Sequence, residues 1–183
     1  MTALGRITAA LALSLAACGG DGKREAPARH PVLPGWERIE ERAAGFAVNL
    51  PHGAKRVDDV LQGGVKNHMI MSKSGSDRYV VGFIDGPDPT EGQGSRERLH
   101  ESAQGFIDSC NGHLIGEGML EGPDHPALKA WGVCNQNELV VGEIHAKNGR
   151  VIKLFAVATD SRTADSEEIK AFFKSFAFLD GHI

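Results

Sequence analysis

Large apolar residues occupy every second position in the segment Phe46 to Leu50, and Pro51 follows directly. This alternation predicts a strand with one buried face, which ends where proline removes a ladder donor. Further β-branched and apolar runs cover residues 65–73, 78–85, 127–135, 139–146 and 151–159.

Two pairs of these runs are separated by short polar turns. Ser74-Gly75-Ser76-Asp77 separates the first pair, and Lys147-Asn148-Gly149-Arg150 separates the second. Asn-Gly between two apolar runs is the strongest short signal for a β-hairpin. The pattern therefore predicts two antiparallel hairpins.

Two segments change to the period of an α-helix. Leu99, Ala103, Ile107 and Cys110 lie on one helical face, and Asn111-Gly112 predicts the end of that helix. Asp165-Ser166 before two glutamates predicts the start of a second helix. Its apolar face carries Ile169, Phe172, Phe173 and Phe176.

The order of strands, helix, strands and helix predicts an α+β fold, an antiparallel sheet of about six strands or more flanked by two main helices. It contains no repeated strand-helix-strand unit, which disfavours a Rossmann-type nucleotide site. The larger aromatic residues are expected in the core: Trp36, Trp131, Phe106, Phe155, Phe172 and Phe176.

Composition is that of one ordinary domain. The 183 residues are 41% hydrophobic and 24% charged, with a formal net charge of -4. A disordered chain and a multi-span membrane protein are therefore excluded. Twenty lysines and arginines against 24 acidic residues leave no basic surplus for phosphates, so nucleic acid is not an expected partner.

The first residues have the layout of an export signal: one charge at Arg6, an apolar run from Ile7 to Ala17, and small residues before Cys18. The eleven residues of this run span only about 16 Å as a helix, too little for a bilayer core of about 30 Å. Leu15-Ala16-Ala17-Cys18 resembles the lipobox of bacterial lipoproteins, in which the cysteine carries lipid and the signal is cut before it. The other interpretation is a plain secretory signal with a chance cysteine.

The resemblance implies a lipid anchor at Cys18 and a place in the bacterial cell envelope, facing the periplasm. Several acyl chains hold a protein firmly at a membrane, whereas one chain holds it only marginally. Lipoproteins with aspartate after the cysteine tend to stay at the inner membrane, and Gly19 here favours the outer membrane.

If Cys18 carries lipid, Cys110 and Cys134 remain as an even pair in an oxidising compartment. We expect them to form a disulfide. A catalytic or redox thiol is the alternative, but redox pairs usually have Cys-x-x-Cys spacing, and 23 residues separate these two.

These features divide the chain into a signal at residues 1–17, a flexible tether at 18–35 and a single α+β domain at 36–183. Residues 19–34 hold three glycines, three prolines and few apolar side chains, so they bury too little surface to fold. Removing the signal takes away Arg6 alone among the charges and leaves a net charge of -5.

Both ends of the domain are similar to the PsbP-like and DcrB-like bacterial domains. The similarity lies in the opening Gly45-Phe46-Ala47-Val48-Asn49-Leu50-Pro51 and the closing Phe172-Phe173-Lys174-Ser175-Phe176. The resemblance implies a central antiparallel sheet flanked by helices, used mainly to bind other proteins. It supplies no catalytic residue.

The sequence offers no compact catalytic motif. No serine lies in a Gly-x-Ser-x-Gly turn, and the short glycine clusters lack the lysine of a phosphate loop. The eight histidines do not fall at close metal-ligand spacings, so no metal or cofactor is expected. His68 and His145, on different strands, are the pair that the fold could bring together.

We therefore expect a non-catalytic, lipid-anchored envelope protein that binds another envelope protein or a cell-wall component. Two roles fit this class: assembly or maintenance, and immunity against an incoming toxin. A periplasmic metal carrier, or an enzyme with a noncontiguous site, is the alternative from a different class. The partner, the oligomeric state and the membrane that holds the anchor are not fixed by the sequence.

Overall fold

The structure, a computed structural model, describes residues 31–60, 64, 66–84, 95–134, 138–159 and 165–179. The predicted signal at 1–17, and the predicted tether as far as residue 30, lie outside the described residues. The described elements are β1 (Trp36–Glu41), β2 (Phe46–Pro51), β3 (Lys55–Val60), β4 (Lys66–Ser74), β5 (Asp77–Ile84), α1 (Ser95–Ser109), β6 (His113–Met119), β7 (Ala127–Val133), β8 (Leu139–Lys147), β9 (Arg150–Ala158), α2 (Glu167–Lys174) and β10 (Ala177–Phe178).

Among these described segments, no helix has the length and apolar character needed to cross a membrane.

Seven of the strands form one antiparallel sheet in the order β3-β4-β5-β9-β8-β7-β6. Both predicted hairpins are present, as β4 with β5 and β8 with β9. In the second turn Asn148 and Gly149 both have positive φ, 53° and 75°, the conformation that a two-residue hairpin turn requires. The remaining three strands form a small second sheet in the order β1-β2-β10.

The small sheet and α2 cover one face of the large sheet, which we call face A. Phe46 of β2 packs edge-on against Phe83 of β5, and Phe172 of α2 packs edge-on against Tyr79. The residues of the large sheet in this core come from β4, β5 and β9 alone. Face A is therefore covered at the β4, β5 and β9 side.

Helix α1 covers the opposite face, face B. Leu99, Ala103 and Ile107 are fully or almost fully buried there, and the Phe106 ring stacks on that of Phe155 with centroids 3.6 Å apart. Helix α1 contacts β6, β7, β8 and β9. Each covering layer thus spans only part of the seven strands. Within the described part of the chain, face A remains open toward β6, and face B remains open toward β3.

The α+β class and both helices are confirmed. Helix α2 begins where predicted, because the Ile169 backbone N–H donates to the Ser166 hydroxyl at 3.2 Å. Strand β2 differs from its prediction, since all six of its residues are buried and not one face alone. Its backbone is covered on the second side, where the Asn49 N–H donates to the buried Ser175 hydroxyl at 2.9 Å.

Candidate functional site

Cys110 and Cys134 are joined in a disulfide, as predicted, with their Cα atoms 5.3 Å apart. Cys110 directly follows α1 and Cys134 directly follows β7. The bond therefore fastens the end of the covering helix to the sheet beneath it. Cys18, the predicted lipid attachment residue, lies outside the described residues.

His68 and His145 do not come together. Register places both on face A, in one row across the sheet, with Phe83 and Ile152 between them. Three strand spacings separate the two histidines, or about 14 Å. The sequence pattern places the two histidines on different strands, but it does not show that β5 and β9 lie between those strands. Within the described ranges, no group of three or more histidine, cysteine or acidic side chains is placed to hold a metal.

His145 instead contacts His125, which the sequence analysis did not single out. His125 Nε2 lies 3.0 Å from His145 Nδ1. The His125 ring packs against Phe178 of β10, and the His145 ring packs against Phe176, which lies just before β10. The signal that could have revealed the pair is the register of β7 with β8, which sets Ala127 opposite His145. Residue 125 precedes that position by two.

A carboxylate faces the outer nitrogen of each ring. Asp124 Oδ1 lies 2.7 Å from His125 Nδ1, and Glu143 Oε2 lies 3.4 Å from His145 Nε2. If His125 donates to Asp124 and accepts from His145, the last nitrogen of His145 is a lone pair that faces a carboxylate. The side chains of Asp124, His125, His145 and Glu143 therefore form one continuous polar chain.

Burial lowers the pKa of His125, and this effect exceeds the opposing effect of the hydrogen bond between its ring and the Asp124 carboxylate. The pKa of Asp124 is also lowered, first by its hydrogen bond with His125 and then by that with Lys147 at 3.0 Å. A similar exposed contact lowers the pKa of Asp58, which hydrogen-bonds His68 at the other end of the sheet. The contacts of Asp124 hold the segment before β7 against β8, and the contact of Asp58 joins the edge strand β3 to β4.

Trp131 is the clearest departure from the predicted core. It was expected to be buried with the other large aromatics, but 41% of it is exposed. Trp36, Phe155 and Phe172 are buried as predicted, and Phe106 and Phe176 are partly buried. Trp131 differs because it points to face A on β7, which neither α2 nor the small sheet covers.

The Trp131 indole lies against strand β6 at Gly116. A Cβ atom added to Gly116 would be 2.7 Å from Trp131 Cε2 and 3.1 Å from Nε1. Since real Cβ atoms do not approach so closely, glycine at this position creates the space in which the ring rests. Beside it on β8, Leu139 and Val141 lie half-buried in register with β7 and extend the apolar surface.

We call this uncovered part of the sheet the Trp131 face. It contains a cavity of about 340 Å³, and charged side chains of both signs stand at its edges: Lys129 beside Trp131 on β7, and Asp165 just before α2. Glu143 lies opposite Lys129 in the register and links the face to the histidine pair. The lining residues are Lys129, Trp131, Gly132, Leu139, Val140, Val141 and Asp165.

Comparison with known proteins supports the fold alone. No family model matches the chain, and no curated protein matches it. The solved structures include a similar one, the solution structure of cyanobacterial PsbP (CyanoP) from Synechocystis sp. PCC 6803. The two share 12% sequence identity with a TM-score of 0.56, over 90% of this chain and 99% of the other. The domain therefore has a PsbP-like fold, as the sequence resemblance implied.

Proposed function

We propose that this chain is a non-catalytic, lipid-anchored protein of the bacterial cell envelope that binds another envelope protein through the Trp131 face. The single observation that carries the proposal is the exposed indole of Trp131 on an apolar, uncovered part of the sheet. Tryptophan is one of the residues most enriched among those that dominate binding energy at protein interfaces.

The surroundings of Trp131 favour a protein partner over a cell-wall glycan. One other large apolar side chain, Ile115, is exposed at 56% at the bulge of the adjoining edge strand β6. An apolar centre bordered by charges is the usual composition of a protein interface. A glycan would use the indole as a stacking platform but would have no use for the apolar side chains of Ile115, Leu139 and Val141.

Among the described strands, β6 also offers an unpaired backbone edge, because it is the last of the seven. A register shift between Leu114 and Gly116 interrupts that edge. Such a bulge discourages pairing of one sheet edge with another. The partner is therefore expected to dock on side chains of the face, with Trp131 as its main contact, and not to extend the sheet.

The anchor is proposed from the leader of the sequence. Lipid on Cys18 would place the domain at the periplasmic side of a membrane, with the outer membrane favoured by Gly19. Cys18→Ala is expected to release the protein from the membrane fraction. A Cys18→Ala protein that still fractionates with membranes as the unaltered chain does would contradict the anchor.

The binding surface is tested by capture of the intact protein from native envelopes after chemical crosslinking. Trp131→Ala is expected to remove the captured partner, with a loss in affinity of roughly thirtyfold or more, since dominant interface residues contribute at least about 2 kcal/mol. Val60→Ala is the matched control, because Val60 is more exposed, at 64%, and lies on the opposite edge strand. Equal capture by both variants would refute the Trp131 face as the binding surface.

A further inference from the structure

A second uncovered area lies on face B, at the opposite edge of the large sheet. Register places Lys55, Met71 and Val80 in one row across β3, β4 and β5. The next row holds Lys73 beside Arg78 on the same face. The core under α1 takes Val80 from the first row but no residue from β3 or β4, so α1 leaves these rows uncovered at β3 and β4.

These rows line a cavity of about 450 Å³, which we call the cationic cleft. Its lining holds two lysines, an arginine and a histidine but no acidic residue: His52, Gly53, Lys55, Met71, Ser72, Lys73, Arg78 and Val80.

The positive charge of the cleft is only partly neutralised. Arg78 forms an ion pair with Glu138, and His52 Nδ1 lies 3.8 Å from Glu37 Oε2. Lys55 and Lys73 are exposed and have no ion-pair partner among the described residues. Two ammonium groups on a chain of net charge -4 thus remain available to an anion from outside.

The floor of the cleft is apolar, in contrast with its rim. Met71 is 37% exposed between the two lysine positions, and Val80 lies beside it on β5. Methionine is a flexible side chain that adapts to irregular apolar ligands. A small inorganic anion would contact the lysines alone, whereas an anion that carries an apolar portion would contact both the lysines and the apolar floor of the cleft.

The cleft lies where the chain enters the domain. The His52 backbone N–H donates to the Gly35 carbonyl at 2.9 Å, and Gly35 directly precedes β1. The residues from Cys18 to Gly35 reach at most about 60 Å when extended, so an anchor at Cys18 holds the domain within that distance of the lipid surface, and the tether joins the domain beside the cleft. Tethering raises the local concentration of headgroups at the cleft, so that even a weak contact is populated.

From these observations we propose that the cationic cleft binds the headgroup of an anionic phospholipid. Its phosphate contacts the ammonium groups of Lys55 and Lys73, and its glycerol and upper acyl carbons lie over Met71. This inference rests on the proposed lipid anchor, and it adds a defined orientation: the β3 edge faces the bilayer. The Trp131 face, on the other side of the sheet and at the other edge, then faces away from it.

The test is native mass spectrometry of the purified full-length protein in a neutral detergent, titrated with short-chain phosphatidylglycerol. Parallel titrations use phosphatidylcholine and inorganic phosphate. The unaltered protein is expected to bind one phosphatidylglycerol and no phosphatidylcholine. Lys55→Gln with Lys73→Gln should weaken binding roughly thirtyfold, about fivefold for each lysine, because a basic residue near an anionic surface contributes about 1 kcal/mol.

Two further variants make the comparison specific. Lys170→Gln with Lys174→Gln removes two exposed lysines of α2 and should leave phosphatidylglycerol binding unchanged. Lys55→Arg with Lys73→Arg keeps both charges and should restore it. Circular dichroism of each variant verifies that the fold is retained.

Several results would overturn the inference: equal binding of phosphatidylcholine, equal loss in the α2 control, or full displacement by inorganic phosphate below millimolar concentration, which would indicate a free-phosphate site. Crosslinking of the cleft to an acidic protein segment in the envelope would also replace the lipid as its occupant. The same spectra report the acyl mass on Cys18. Binding of phosphatidylglycerol by a protein without that acyl mass would contradict the anchor but not lipid binding in the cleft. An acyl mass on Cys18 without binding of phosphatidylglycerol would contradict lipid binding in the cleft but not the anchor.

Discussion

Gly116→Ala tests the position of the Trp131 indole with the addition of a single methyl group. Gly116 and Gly118 both lie on β6, and both point to face A in register with β7. Neither has a positive φ, so alanine is compatible with the backbone at each. A methyl group at Gly118 meets nothing within 4 Å, whereas at Gly116 it would be 2.7 Å from Trp131 Cε2.

The expected magnitude follows from these distances. Carbon atoms pack best at about 3.5 to 4.0 Å, and Trp131 Cζ2 would be closer to the added methyl group than Cε2 is, so the indole must retreat by more than about 1 Å. Overpacking of this kind costs about 1 to 3 kcal/mol, and the partial exposure of Trp131 places this case near the lower end. Alanine in place of a strand glycine contributes about 0.5 to 1 kcal/mol of stability, as expected for Gly118→Ala. Gly116→Ala should therefore be less stable than Gly118→Ala by about 1 to 2 kcal/mol.

Urea unfolding gives this difference, and tryptophan fluorescence reports where the indole goes. Trp36 is buried at 6% exposure and Trp131 is the more exposed of the two, so a red shift in Gly116→Ala is assigned to Trp131. Partner capture should fall in Gly116→Ala and stay unchanged in Gly118→Ala. Equal stability, emission and capture for the two variants would refute the seating of the indole on Gly116.

Two further predictions concern the supports of the site. Because burial lowers the pKa of His125 in the fold, the unfolded chain binds the proton more readily, and the free energy of unfolding should fall as pH decreases from about 6.5. Urea titrations at pH 7.5 and 5.5 should show a smaller decrease for His125→Gln than for the exposed-histidine control His52→Gln, and an equal decrease would contradict the effect of burial. Replacing both Cys110 and Cys134 with alanine opens a loop of sequence separation 24, which should cost about 3 to 4 kcal/mol of stability in the oxidised protein. Mass spectrometry that finds both thiols free in protein from the envelope would contradict the bond itself.

The features that the sequence predicted correctly are local. The turn at Asn148-Gly149 requires two adjacent residues with positive φ, and the start of α2 uses the hydroxyl of Ser166. Each feature depends on a few neighbouring residues and can therefore be predicted from a short stretch of sequence. The disulfide was predicted from the even pair, Cys110 and Cys134, that remains if Cys18 carries lipid.

The edge strands were not predicted, because their sequences lack the alternation that a covered face produces. All six residues of β3 are exposed, and β6 contains two glycines and a bulge. Register with a neighbouring strand, and not burial of their own side chains, defines these strands.

Trp131 and His125 show why the candidate site could not be predicted. Alternation assigns residues of a strand to two faces but does not tell how far the next layer extends over each face. The small sheet ends before it reaches Trp131, and a loop returns His125 to His145. Both facts depend on contacts between segments far apart in sequence.

Site-specific photocrosslinking in the native envelope is the most direct test of the proposed binding surface. A benzophenone side chain is introduced in place of Trp131 and, as a control, in place of the exposed Lys170 on α2. We expect one defined protein adduct from position 131 and none from position 170. No adduct at position 131, adducts of equal yield at both positions, or attachment to glycan alone would contradict a protein-binding role for the Trp131 face.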